Sequence, residues 1–151
     1  MIRFHIPGVP VQQGSKTPWG SEQNPHLKAW RQSVAETAAR EFLGDAPASG
    51  PVHVSAEFVF PRPKAHYRSG RYADWLKESA PLYHTSNPDL DKLQRAIGDA
   101  LTGVVIRDDR QIAAWSTVKR YGPHAGATIG VTLLPRRDEP LLEPVSLELL
   151  H

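Results

Sequence analysis

The chain contains no cysteine. Its fold therefore uses neither disulfides nor thiolate metal ligands, and zinc sites built on sulfur are excluded. Any metal must be held by oxygen or imidazole. No run of about 18 apolar residues is present that could span a bilayer. The amino terminus, Met1-Ile2-Arg3-Phe4-His5-Ile6-Pro7, lacks the apolar stretch of a secretory leader. A soluble, cytoplasmic protein is expected. The seven histidines (His5, His26, His53, His66, His84, His124, His151) follow no HExxH or similar metal spacing. There is neither a phosphate-binding P-loop nor a GxSxG nucleophile elbow, so nucleoside triphosphate hydrolysis and serine hydrolysis have no support. A strong net charge is missing too: the formal +2 is too small to argue for any partner.

What is present suits one compact domain, since 151 residues can bury a core of their own. Residues 2 to 6 alternate apolar and polar, the period of a half-buried strand. The proline- and glycine-rich run from Pro7 to Lys16 reads as a loop whose backbone can approach a ligand closely. From Pro25 to Phe42 apolar residues recur at helical spacing, with Asn24 placed to cap and Gly44 to end the helix. Val52 to Phe60 has the β-branched and aromatic content of a strand. After Asn87-Pro88, the stripe Leu90, Leu93, Ala96, Ile97, Ala100 and Leu101 predicts a second helix, closed by Gly103. Ile112 to Lys119 reads as a strand, and Ala127 to Leu134 as its hairpin partner across the turn Tyr121–Gly126. The order strand, helix, strand, helix, strand, strand indicates an α+β (mixed α/β) fold with two main helices packed on a small sheet. Residues 1 to 134 would form the domain, and 135 to 151 a leucine-rich tail.

Two acidic pairs sit at element boundaries: Asp89 and Asp91 where the second helix begins, Asp108 and Asp109 before the strand that follows it. Each pair alone reads first as a helix cap or turn rather than as a site. Two residues on a regular helix point about 200° apart, so Asp89 must stand just outside the regular turns if both acids are to face one ion. Magnesium keeps waters and substrate phosphate in its shell, so two or three converging carboxylates suffice. Arg95, four residues after Asp91, is either an ordinary surface ion pair with Asp91 or Asp99 or a phosphate-binding cation. The cationic loop with Arg62, Lys64, Arg68, Arg71, Tyr67, Tyr72 and Trp75 suits a phosphate backbone and exposed bases, or is simply solvated. Lys16 and Lys119 are further candidates for phosphate contact. These residues leave open a metal-dependent nuclease, including one for another branched DNA, and a DNA-binding module without catalysis.

The run from Asn87 through Asp89-Leu90-Asp91 and Arg95 to Asp99-Ala100-Leu101-Thr102-Gly103, followed by Asp108-Asp109-Arg110-Gln111-Ile112, resembles the RusA family of Holliday-junction resolvases. Gly8-Val9-Pro10 to Gly14-Ser15-Lys16 also looks like the amino-terminal loop of its phage-borne members. The resemblance implies a homodimer that binds a four-way junction and makes paired nicks by Mg²⁺-assisted phosphodiester hydrolysis. Carried over by position, the metal-binding acids are Asp89, Asp91 and Asp109, and the family's catalytic lysine falls on Arg95. Arginine keeps the charge, but it does not deprotonate and presents a planar fork.

Overall fold

Alternating and continuous apolar patterns resolve into four strands and two helices in the computed structural model, which describes residues 1–14, 24–44 and 46–136. The order is β1 (Ile2–Pro7), α1 (Pro25–Glu41), β2 (Val52–Phe60), α2 (Leu90–Leu101), β3 (Ile112–Tyr121) and β4 (Gly126–Leu133), with short 3-10 turns at Lys64–His66, Gly70–Tyr72 and Asp109–Gln111. Asn24 caps α1 by accepting from the His26 N–H at 2.9 Å, and Pro25 opens its first turn. Gly103 follows α2 with φ +83°, the left-handed backbone that glycine adopts without cost. The first helix stops earlier than the sequence predicts, at Glu41, with Phe42 in extended backbone as its C-cap.

The class and the element order agree with expectation, but the strand neighbours do not. The sheet runs β1-β4-β2-β3, with β2 parallel to β3 and antiparallel to β4. The expected β3–β4 hairpin therefore does not form. Strand β2 lies between the two: its helix-facing residues are fully buried and its other face, with His53 and Val59 buried and Ser55 and Glu57 half-buried, is largely covered, as suits the sheet's centre. Gly122–Ala125 has to bridge two strand spacings of about 4.8 Å each, a reach that four residues supply.

Both helices cover one face of the sheet. That face carries Phe4 and Ile6 of β1, Val52, Val54, Ala56 and Phe58 of β2, and Ala127, Ile129 and Val131 of β4, all in cross-strand register and all buried. Leu27, Trp30, Val34 and Ala38 of α1, with Leu93, Ala96, Ile97 and Leu101 of α2, complete the core. On β3 the same face is mostly polar: Trp115, Thr117 and Lys119 align with Val54, Ala56 and Phe58. This departure from an apolar inner face is what places the site. Among the described residues no helix is long and apolar enough to cross a membrane.

Two histidines are buried neutral. His53, on the outer face of β2, meets the Ser116 hydroxyl at 2.9 Å, and burial lowers its pKa. His84 stacks on Phe60 with ring centroids 4.2 Å apart; burial lowers its pKa too, helped by the Lys119 ammonium. Below about pH 6.5 the unfolded imidazoles take up protons that these native ones resist. Stability is therefore full at neutral pH and falls as pH drops through that value. Urea midpoints should be lower at about pH 5.5 than at about pH 7.5, and His84→Phe should flatten the difference. A midpoint that rises on acidification would contradict the assignment.

Candidate active site

Helix α2 presents one polar edge to solvent while its stripe is buried. Asp91, Gln94, Arg95 and Gly98 stand at i, i+3, i+4 and i+7, which stacks them along that edge. Asp89 is the residue before the first helical turn, in extended backbone with φ −72° and ψ 140°, as the facing requirement predicts. Its carboxylate does not cap the helix. The acid instead approaches the Lys92 ammonium at 3.4 Å, and its backbone N–H donates to the Gln12 side-chain oxygen at 2.9 Å. Capping, the bland explanation for an acid at this position, thus fails for Asp89.

The second acidic pair divides differently. Asp108 caps the 3-10 turn: its carboxylate accepts from the Arg110 N–H at 2.9 Å and the Arg110 side chain at 3.0 Å. Those two bonds hold its pKa below the usual carboxylate value. Asp109 points elsewhere, onto α2. The turn itself is secured by Gln111, whose oxygen accepts from the N–H groups of Arg107 (2.8 Å) and Asp108 (2.9 Å). The Gln111 amide nitrogen donates to the carbonyls of Ala48 (2.8 Å) and Gly50 (2.9 Å). Gln111→Ala would strand these partners, part of them away from water. The expected cost is about 2–3 kcal/mol in urea unfolding, together with slower cleavage as Asp109 loses its position. Wild-type stability in that variant would show the bonds to be dispensable.

Asp91, Gln94, Arg95 and Gly98 of α2 meet Asp109, Ile112 and Trp115 around one open depression of about 270 Å³. Gly98 forms its floor: a Cβ there would stand 3.5 Å from the Asp109 Cβ and 4.0 Å from the Trp115 ring. Gln94 donates to Thr117 at 2.6 Å and ties the helix to β3. Among the described residues Arg95 makes no salt bridge: Asp99 stands 3.7 Å from Arg31, and Asp91 shares the depression with Arg95. Two exposed carboxylates and a guanidinium therefore share one solvent-open pocket. A hard divalent cation fits this donor set, since it needs few carboxylates and keeps waters. Among the described residues no three acidic or histidine side chains lie close enough together to hold a metal ion. Asp89 stands outside the depression, so the three acids expected to act together are brought together only as a pair plus a neighbour. A larger cleft of about 600 Å³ lies between the Val9–Gln12 loop, α1 and Asn87-Pro88. Its lining has no carboxylate, so the smaller depression is the metal candidate despite its size.

The remaining candidates separate by location. Lys16 lies outside the described residues, as do 137–151 of the tail. Lys119 directs its ammonium at the carbonyls of Ser86 (2.9 Å) and Pro88 (2.7 Å), immediately before Asp89. The cationic loop is anchored rather than loose. Arg62 donates to Pro81 O at 2.7 Å and lies over the Tyr121 ring, while Leu82 O accepts from the Tyr121 N–H at 2.9 Å. Beyond this neck Lys64, Arg68 and Arg71 are exposed, with Arg71 over Tyr72 at 4.9 Å and Arg68 over Trp75 at 6.0 Å. Trp75 is 60% exposed, an unusual surface position for a large ring. Reading the sequence overlooked Gln12, Gln94, Gly98 and the site role of Trp115. Gly98, seven residues after Asp91, was recoverable from helical spacing, whereas Gln12 had no local signal.

The sequence model of the family described as endodeoxyribonuclease RusA matches residues 7–132, which span both acidic pairs, both helices, β2, β3 and all of β4 but Leu133. The chain belongs to the RusA endodeoxyribonuclease family. A curated relative is the Bacillus subtilis (strain 168) product described as uncharacterized protein YqaN, 29% identical over 128 residues that cover 80% of this chain and 87% of that one. As a RusA-family protein the chain is an endodeoxyribonuclease, a hydrolase of phosphodiester bonds in DNA. Of the acids of the RusA-like run, Asp91 and Asp109 line the depression.

Proposed function

We propose that this endonuclease resolves Holliday junctions as a homodimer, with Mg²⁺ held by Asp91 and Asp109 and completed by Asp89. The observation that carries the reading is the convergence of Asp91, Arg95 and Asp109 on one depression, while the neighbouring Asp108 is spent on capping. A bound Mg²⁺ would polarise the scissile phosphate and lower the pKa of an attacking water. The chain's own residues do the rest. Arg95 binds the scissile phosphate and offsets the negative charge that grows on its oxygens, a task its planar, permanently protonated fork performs well. It takes no part in proton transfer. Trp115 and Ile112 wall one side of the depression and limit the water around the reacting phosphate.

Lys64, Arg68 and Arg71, with Arg62 at the neck and Lys16, supply contacts to flanking phosphates, so affinity falls with added salt. Tyr72 and Trp75 offer ring faces to bases that have lost their stacking partners, as bases at a branch point have. A two-fold dimer suits the symmetric arms of a junction and two coordinated nicks.

Purified protein incubated with labelled four-way junction, flap and linear duplex, with Mg²⁺ or with chelator, tests the reading. Paired nicking of the junction that chelator stops is expected. Binding without cutting would leave a DNA-binding module, and equal cutting of linear duplex would remove the resolvase assignment.

A further inference from the structure

Asp89 stands next to the depression, on a stretch with little secondary structure of its own. It follows the turn Ser86-Asn87-Pro88, and its carboxylate does not bond to the helix it precedes. An acid in such a stretch is only as well placed as the turn that carries it. The turn is held from two directions. From β3, the Lys119 ammonium donates to the carbonyls of Ser86 and Pro88, 2.9 and 2.7 Å away. From the loop after β1, Gln12 accepts the Asp89 backbone N–H at 2.9 Å.

We infer that Lys119 is a positioning residue, which clamps the Ser86–Pro88 turn so that Asp89 is presented beside Asp91 and Asp109. The clamp rests on the metal reading proposed above, and it gives Lys119 a different task from phosphate contact. Two features make the side chain suitable. It lies on the helix-facing side of β3, in register with the buried Phe58, so its stem is fixed by the sheet. Its two carbonyl partners straddle Asn87, so one ammonium fixes both ends of the turn. Side chains that hold a ligating group in place typically change metal affinity about 10- to 100-fold when removed.

Wild-type protein, Lys119→Met, Lys119→Arg and Asp89→Asn are compared in three measurements: amide hydrogen exchange over residues 86–90, Mn²⁺ affinity by electron paramagnetic resonance, and junction affinity in chelator. Lys119→Met should speed exchange of the Asp89 amide about tenfold and weaken Mn²⁺ binding about tenfold. It should leave junction affinity in chelator within about twofold. Lys119→Arg, which keeps the charge and donors, should recover part of both losses. Unchanged exchange in Lys119→Met overturns the clamp whatever the metal does. A loss of junction affinity with exchange intact overturns it in favour of a phosphate contact. If wild type takes up no Mn²⁺ and Asp89→Asn changes nothing, the metal reading fails and the inference with it, while the exchange measurement still reports separately on the turn.

Discussion

Asp91→Asn should reduce junction cleavage about a thousandfold, because a metal that loses a carboxylate gives up several kcal/mol of transition-state charge stabilisation. The side chain is exposed, lies on the polar edge of α2 and is not part of the core. Exposed substitutions of this kind usually change stability by less than about 0.5 kcal/mol. The variant should therefore fold, unfold in urea at the wild-type midpoint and bind four-way DNA in chelator as wild type does. Rate loss with binding intact separates catalysis from recognition. Removing one negative charge near a polyanion should even tighten the chelated complex slightly. Full activity in this variant would sink the assignment of the depression as the catalytic site, and a collapse of stability would make Asp91 a structural acid. The same comparison for Asp108→Asn should show the reverse, with cleavage retained and the 3-10 turn weakened, because that carboxylate is occupied by Arg110.

Phe58→Ala should destabilise the protein by about 3–5 kcal/mol, the usual loss when a buried ring is truncated and its cavity only partly refills. Phe58 is fully buried near the end of β2, beside Ala127 of β4 and Lys119 of β3. Total stabilities are about 5–15 kcal/mol, so this one change removes a large share. Urea midpoints measure it, with an unchanged slope if the unfolded state is unaffected. A loss under about 1.5 kcal/mol would mean that the helix layer closes over the gap and that the core is less tightly fitted than its burial indicates. Because Phe58 lies in register with Lys119, the cavity should also loosen the base of the turn that leads to Asp89.

Much of this architecture is legible from local pattern. The apolar stripe of α2 is read from Leu90 to Leu101, and the observed helix occupies that span. Its ends are marked by Pro88 and Gly103, whose backbone preferences act within one or two residues. The extent of β2 follows from β-branched and aromatic composition, and the observed strand is Val52–Phe60. The position of Asp89 just outside the helix follows from Pro88 before it and from the condition that Asp89 and Asp91 face one ion across a 3.6-residue turn. Strand order is different in kind. Tyr121–Gly126 looks like a hairpin link whether its strands touch or admit a third between them, because the local turn chemistry is the same. Burial of β2 on both faces selects the second arrangement, and that burial is set by segments far away in sequence.

The acids show the same division. The two pairs and the face on which Asp91 and Arg95 align are properties of the chain's order and of helical geometry, and so are the family motifs that contain them. Only the folded molecule decides that Asp108 is spent on a cap while Asp109 faces Asp91, because the adjacent acids are chemically alike until the turn orients them. Only there do Gln12, 77 residues away, and Lys119, about 30 residues away, meet the turn that carries Asp89. Caps and periodicity act over a few residues and are written in the sequence. Contacts between a loop, a helix start and a strand arise when the core packs and brings them within hydrogen-bond reach.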